Sequence, residues 1–175
     1  MQFVTISSEG NAVDAGDLTD QSSGGNPFGS PTRGLLAGFA SPMNANIDFF
    51  QFSSTGNAQD FGSLQTIVNS GDALSSITRG LVVGGSGYLS DIQSVTMATL
   101  GNSVDFGDLT VGRYMLGATS DCIRGVIIGG YISPGANTNI IDYVNIATAG
   151  DAVDFGDQVT TARNAGATST AHGGL

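Results

Sequence analysis

One nine-residue motif recurs four times along the chain, at intervals of 46, 45 and 49 residues. Its third copy reads Gly-Asn-Ser-Val-Asp-Phe-Gly-Asp-Leu from Gly101, and the other copies begin at Gly10, Gly56 and Gly150. A period of roughly 20 to 50 residues is typical of repeat folds, in which each unit buries its apolar face on its neighbours. We therefore predict a single repeat domain over residues 1–175, with units of approximately 1–46, 47–91, 92–140 and 141–175.

Two further blocks recur in phase with this motif. The first is Arg-Gly-Val-Ile-Ile-Gly-Gly at 124–130, an apolar run closed by glycines that is typical of a strand buried on both faces. The second is Ile-Asp-Tyr-Val-Asn-Ile at 141–146, whose partial alternation is typical of a half-buried strand. No window has a sustained apolar period of 3.6 residues. The prediction is an all-β fold with about four short strands per unit and negligible helix.

Charge and composition exclude several classes of protein. The net charge is −10, and Arg33, Arg79, Arg113, Arg124 and Arg163 are the five basic residues, which disfavours nucleic acid and anionic membrane as partners. The chain has one cysteine, Cys122, and one histidine. An internal disulfide is therefore impossible, and zinc is improbable. No nucleophile, metal cluster or acid–base set stands out, so we predict no enzyme activity, no catalytic residue, no metal and no cofactor.

The aspartates and glycines of the motif allow two interpretations. In the favoured one, the first aspartate accepts backbone N–H bonds in a turn and the glycine supplies the positive φ that the turn requires. In the other, the Asp-x-x-Asp pair binds calcium, although calcium needs ~6 to 8 oxygens and Ser63 interrupts the pair in the second unit. The predicted turn residues are Asp14, Gly16, Asp60, Gly62, Asp105, Gly107, Asp154 and Gly156.

Three arginines, Arg33, Arg79 and Arg124, recur at one position per unit. We predict that each pairs with a recurring aspartate of its own or a neighbouring unit, because a guanidinium group and a carboxylate form a bidentate pair. The alternative is an inward-pointing ring that binds an anionic ligand. The shared period of arginine and aspartate favours the ion pair.

The segments between the strands vary in length and sequence from unit to unit. They are Gln21–Pro31, Ala40–Asn46, Ser86–Asp91 and Ser133–Asn139. Loops that vary on a repeat scaffold commonly carry recognition. Serine, asparagine and glycine predominate there with an occasional tyrosine, Tyr88 and Tyr131, so these are the candidate ligand-binding loops. The composition suits polar ligands, including glycans, and equally suits plain solvated loops.

Four short strands in each unit of 45 to 49 residues correspond to one blade of a β-propeller. Each of the strands that end in a glycine pair, at 84–85 and 129–130, is followed by a loop, and a later strand carries Tyr143. A further strand and turn lead to an arginine, Arg113 or Arg163, and this order resembles the kelch repeat. Phe61, Phe106 and Phe155 stand near the position of the kelch tryptophan. The repeat more closely resembles repeat proteins of tailed marine bacteriophages, cyanophages especially. The motifs that carry this resemblance are, in order, Ile-Asp-Tyr-Val, Gly-Asn-Ala-x-Asp-Phe-Gly-Asp-Leu-Thr and Gly-Gly-Leu.

The resemblance implies a kelch-like propeller of about four four-stranded antiparallel blades. It also implies a non-enzymatic virion protein of tail or tail-fibre type, made in the host cytoplasm, with structural and host-recognition roles. Its partners would be other virion proteins or host-surface glycans. The alternative function is a carbohydrate-binding, lectin-like propeller.

The phase of the repeat makes a further prediction about the ends of the chain. If the block at 141–146 is the third strand of a blade, the chain begins with strands three and four and ends with a first strand and part of a second. Three complete blades and one blade shared by both termini would follow, a closure that removes sheet edges. The runner-up is an open array whose edges are completed by other copies, and thus a homo-oligomer.

Overall fold

The computed structural model describes residues 1–20 and 23–169. All regular secondary structure in those two ranges is β, so the all-β prediction is confirmed. Accordingly, the described part of the chain contains no helix that is long and apolar enough to cross a membrane. Gln21, at the start of the first variable segment, and the last repeat fragment, Ala171–Leu175 with its single histidine, lie outside the described residues.

The strands follow one another as antiparallel meanders. A two-stranded sheet at the N-terminus consists of β1 (Gln2–Phe3) and β2 (Val13–Asp14). Sheet 1 consists of β3 (Asn26–Gly29), β4 (Arg33–Ala40), β5 (Met43–Gln51) and β6 (Gln59–Ser63). Sheet 2 consists of β7 (Asp72–Ser75), β8 (Arg79–Val83), β9 (Asp91–Thr96) and β10 (Val104–Asp108).

Sheet 3 repeats this order and adds a short extension. Its four main strands are β12 (Gly117–Ser120), β13 (Arg124–Ile128), β15 (Ala136–Asn145) and β16 (Val153–Ala162). The long strand β15 also pairs with β14 (Tyr131–Ile132), which in turn pairs with β11 (Arg113–Tyr114). Each four-stranded sheet begins in one sequence repeat and ends in the next, so the sheets are out of phase with the repeats.

Two apolar layers lie between the three sheets. Sheet 2 contributes side chains to both layers, because successive side chains of a strand point to opposite faces of the sheet. Val82 of β8 packs in the layer shared with sheet 1, whereas Leu81 and Val83 pack in the layer shared with sheet 3. A central sheet with two apolar faces explains why the Arg-Gly-Leu-Val-Val-Gly run is continuously apolar and does not alternate.

The ends of the chain are not joined in one sheet within the described residues. Strand β1 pairs with β2 in a separate two-stranded sheet, and residues 163–169 contain no strand. The described fold therefore consists of two four-stranded sheets, one six-stranded sheet and one two-stranded sheet, and the predicted ring of blades stays a prediction.

Candidate functional site

The recurring Asp-x-Gly sequence forms a tight bend in the last strand of each sheet. In three copies the N–H of the glycine donates to the aspartate Oδ1, at 3.0 Å for Asp14, 3.1 Å for Asp60 and 3.0 Å for Asp154. The remaining copy, the third along the chain, has a shift of β register between Asp105 and Gly107. The glycines take φ values of 119°, 148°, 148° and 137° at Gly16, Gly62, Gly107 and Gly156. These aspartates and glycines therefore shape the strand.

The same motif connects each unit to the next. The N–H groups of Gly101 and Ser103 donate to the carbonyls of Phe61 and Ser63, both at 2.9 Å. The Oδ1 of Asn102 accepts from the N–H of Ser63 at 3.0 Å. We call this set of three hydrogen bonds a joint. Equivalent joints connect residues 15–17 with 56–58, and residues 106–108 with 150–152.

The repeat arginines have partners other than the predicted aspartates. Nη1 of Arg33 donates to the carbonyl of Met97 at 3.0 Å, and Nη1 of Arg79 donates to the carbonyl of Ile146 at 2.8 Å. Both carbonyls follow the third strand of the next sheet. The guanidinium groups also lie over aromatic rings, 5.2 Å from the Phe49 centroid for Arg33. For Arg33 and Arg79 the predicted aspartate pairing is wrong, because a backbone carbonyl at a strand end of the next sheet lies within reach of each guanidinium group.

We expect Arg79→Ala to lower the free energy of unfolding by about 2 kcal/mol, the size of a hydrogen bond from a charged donor. Arg124→Ala is the matched control. Arg124 lies 4.8 Å from the Tyr143 ring centroid, but among residues 1–20 and 23–169 no carbonyl occupies the place of Ile146. Urea denaturation of both variants is the measurement. Equal losses would contradict a role for the carbonyl contact.

A second recurring polar position lies on the third strand of each sheet and is buried. Asp48, Gln93 and Asp142 occupy it in sheets 1, 2 and 3. The carboxylate of Asp48 accepts from the N–H of Thr19 at 2.9 Å and from its hydroxyl at 2.6 Å. Asp142 accepts from Thr110 in the same way, at 3.2 and 2.7 Å. Sequence analysis missed this position, although a polar residue inside the recurring Ile-Asp-Phe and Ile-Asp-Tyr strands was the available signal.

In sheet 3 this buried carboxylate also holds an arginine. Nη1 of Arg113 lies 2.9 Å from Oδ2 of Asp142, and both side chains have 0% exposure. Nη2 of Arg113 donates to the carbonyl of Ile127 at 3.4 Å. Burial lowers the pKa of Arg113, and the charge of Asp142 acts in the opposite direction. This is the only ion pair within the described ranges, and it fixes β11 against β15.

Three tyrosines converge on the segment that Arg113 fixes. The ring of Tyr114 lies edge to face between those of Tyr88 and Tyr131, with centroid separations of 5.6 and 5.5 Å. The guanidinium of Arg163 lies 4.9 Å from the centroid of Tyr131. All three tyrosines are half-buried. We call Tyr88, Tyr114, Tyr131 and Arg163 the tyrosine cluster.

The tyrosine cluster joins the two candidate loop residues into one surface. Tyr88 lies in the loop between β8 and β9, whereas Tyr131 begins β14. Tyr114, which sequence analysis did not single out, lies between them because β11 pairs with β14 in the register Tyr114 with Tyr131. A tyrosine presents an apolar ring and a hydrogen-bonding hydroxyl, a combination suited to ligands with both polar and apolar faces. The cluster is therefore the candidate binding site.

A cavity of about 450 Å³ lies where the first strands of the sheets meet. Its lining includes Phe28 of β3, Ser75 of β7, Ala118 and Ser120 of β12, and Cys122. Its volume falls within the range of small-molecule sites, roughly 300 to 1,000 Å³. The described residues that line it carry no charged side chain, and none of the three clustered tyrosines is among them. The described lining thus offers a mixed polar and apolar surface, with Cys122 as its titratable side chain.

Among the described residues, no group of three or more His, Cys, Asp or Glu side chains is arranged to hold a metal ion. Comparison with known proteins gives no matching family model and no significant match to a curated protein. The resemblance to phage repeat proteins therefore stays a prediction, and a proposed function has to rest on the geometry of this chain.

Proposed function

We propose that this chain is a non-enzymatic structural and adsorption protein, of the virion-associated tail or tail-fibre type, that presents variable loops on a stack of β-sheets. One observation carries the proposal. The residues that recur join the units, as in the joint between 61–63 and 101–103, whereas the three tyrosines of the cluster stand at positions where the other units have different residues. In repeat scaffolds, non-recurring loops commonly carry recognition.

We also propose that the sheets are blades of a kelch-like propeller, to which each chain contributes about four blades. The innermost strands of a propeller line a central channel. In support, β3, β7 and β12, the first strand of each sheet, all line the 450 Å³ cavity. The hydroxyl of Ser75 donates to the carbonyl of Gly29 at 2.8 Å, and Ser120 donates to Ser75 in the same way. The first strands of neighbouring sheets are therefore in direct contact, as the inner strands of adjacent blades would be.

Glycan binding, as in a lectin, is the second candidate function, and the tyrosine cluster favours it. The cluster combines three rings, their hydroxyl groups and one guanidinium group within contact distance. Rings can pack on the C–H faces of a sugar while the hydroxyls and Arg163 bond its oxygens. The two candidates are compatible, since an adsorption protein that recognises surface glycans would use the same cluster.

We expect Tyr114→Ala to weaken glycan binding by ~10-fold or more, because it removes the central ring of the cluster. Binding to a glycan array, followed by titration of the best ligand, is the measurement. Tyr131→Phe is the matched variant, since it keeps the ring and removes only the hydroxyl. A smaller loss in Tyr131→Phe would assign most of the binding to the rings.

Two outcomes would contradict these proposals separately. If no glycan on the array binds reproducibly, the lectin candidate fails. If mass spectrometry of purified particles of the virus that encodes the chain does not detect it, the virion assignment fails. Detection in particles together with unchanged glycan binding in Tyr114→Ala would keep the virion role and exclude the cluster as its receptor site.

A further inference from the structure

The last copy of the motif carries the groups of a joint but has no partner within the described residues. Phe61 and Phe106, which belong to joints, are 2% and 3% exposed, whereas the equivalent Phe155 is 53% exposed. A Cβ placed on Gly62 or Gly107 would lie 2.4 Å from the carbonyl oxygen of the next motif, but at Gly156 no described atom lies within 4 Å. Residues 155–157 are therefore the last in the series of joints, and their carbonyl groups have no donor from a further motif among the described residues.

The first copy of the motif is open on the opposite side. Its residues 15–17 form a joint with sheet 1, while residues 10–12 are exposed. At the position of Ala12, the later units have Ala58, Ser103 and Ala152, all of which are buried. Exposure also differs between the units at the position four residues before the first glycine of the motif. Ile6 is 98% exposed and its equivalent Phe52 is 59% exposed, whereas the equivalents Met97 and Ile146, which accept from Arg33 and Arg79, are each 1% exposed.

The two open ends match each other, because they are the two halves of one repeated contact. We propose that copies of this 175-residue chain associate end to end, with residues 10–12 of one copy forming a joint with residues 155–157 of another. The N–H groups of Gly10 and Ala12 would donate to the carbonyls of Phe155 and Asp157. The Oδ1 of Asn11 would accept from the N–H of Asp157, as Asn102 accepts from Ser63 within the chain.

Arg124 supplies a second, independent part of the same contact. Arg33 and Arg79 each donate to a carbonyl of the next sheet, at Met97 and Ile146. By the same spacing, the carbonyl that would accept from Arg124 is that of Ile6 in the second copy. An open space of about 530 Å³ lies beside Arg124, lined by Tyr143, Thr148 and Asp151 among others. That space is where the incoming strand would lie, so Ile6 would become buried as Met97 and Ile146 are.

A contact between two different surfaces of the same chain is heterologous, and it generates either a closed ring or an open filament of copies. The main competing occupant is the N-terminal segment of the same molecule. The observed position of that segment, on sheet 1 through residues 15–17 and with residues 10–12 exposed, leaves its free edge available to another copy. Unpaired strand edges of this kind commonly template pairing with another chain.

Cysteine cross-linking distinguishes the two occupants. In a Cys122→Ser background, the pair Asn11→Cys and Asp157→Cys should form disulfide-linked dimers or longer species on mild oxidation, seen on a non-reducing gel. The matched control pair, Ser63→Cys and Asn102→Cys, lies in an internal joint and should cross-link within one chain. Cross-linking of residues 11 and 157 within one chain, or no cross-link at all, would overturn the proposal.

Sedimentation measures the association without cysteines. Ala12→Arg should raise the dissociation constant at least ~10-fold, because it places an unpaired charge where Ala58 and Ala152 are buried. Ala12→Ser is the control and should associate like the original chain, since Ser103 occupies this position in another unit. Both variants should keep the original circular dichroism spectrum and melting temperature of the separate chain. Equal association of Ala12→Arg and Ala12→Ser, or a chain that stays monomeric at all concentrations, would overturn the proposal.

Discussion

Asp142→Asn is expected to lower the free energy of unfolding by about 3 to 5 kcal/mol, the usual cost of leaving one member of a buried ion pair without its partner. Arg113 and Asp142 are both fully buried, with their charged atoms 2.9 Å apart. Asparagine keeps the shape of the side chain but has one acceptor oxygen in place of two, so one of the two hydrogen bonds from Thr110 is lost together with the charge. Urea denaturation followed by circular dichroism is the measurement.

The double variant Arg113→Met with Asp142→Asn tests the cause of that loss. Methionine replaces the arginine stem without a charge, so the double variant should recover most of the stability that Asp142→Asn loses. If both variants are equally unstable, the carboxylate acts through Thr110 and not through Arg113. The tyrosine cluster gives a second readout, because the loss of the ion pair should release β11 and change the near-ultraviolet circular dichroism of Tyr114.

Gly107→Ala is expected to destabilise the chain by about 3 kcal/mol or more, from two causes that add. At a φ of 148°, an alanine is in a region of backbone conformation that is almost exclusive to glycine. Its Cβ would also lie 2.4 Å from the carbonyl oxygen of Gly150, so the joint would have to open. The hydrogen bonds from Gly150 to Phe106 and from Ala152 to Asp108, both 2.7 Å long, would be weakened together.

Gly156→Ala is the matched control because it shares the motif position but has no neighbour within 4 Å among the described residues. Its φ of 137° carries similar backbone strain. The difference between Gly107→Ala and Gly156→Ala therefore measures the internal joint alone. Thermal unfolding at concentrations low enough to keep the chain monomeric makes the comparison, and equal melting temperatures would contradict the role of the joint.

Local patterns predicted much of the fold because they depend on neighbours in sequence. The apolar run after Arg79 became β8, and the run after Arg124 became β13. The block at 141–146 lies in and just after β15. The Asp-x-Gly bends have the positive φ that their glycines indicated. In each case the deciding interactions are steric limits on φ and the burial of an alternating or continuous apolar face.

The candidate site was less predictable. Tyr88 and Tyr131 were singled out because they stand in loops that vary, but nothing in the sequence around Tyr114 connects it with either of them. Its position follows from the pairing of β11 with β14, which in turn depends on the buried contact of Arg113 with Asp142. Arg113 and Asp142 are 29 positions apart in the chain and Tyr88 and Tyr131 are 43 positions apart, so only the folded backbone brings them together.

The partners of the repeat arginines also could not be predicted from the sequence. A shared period made the aspartates reasonable partners for Arg33 and Arg79, yet a period contains no information on distance between units. The carbonyls of Met97 and Ile146 accept instead, because they end strands of the next sheet within reach of each guanidinium group. Backbone carbonyls are the same at every residue, so no sequence pattern can mark one of them as an acceptor.

The sequence by itself determined that the chain is an all-β repeat, where its strands and bends fall, and which segments vary. Those properties follow from side-chain periodicity and local backbone sterics, which act over a few residues. Only the tertiary structure decided which residues of different units meet, in the joints, the buried ion pair and the tyrosine cluster. It also decided that residues 10–12, Phe155 and Asp157 are exposed at complementary edges, because burial depends on contacts between units that the repeat pattern alone cannot specify.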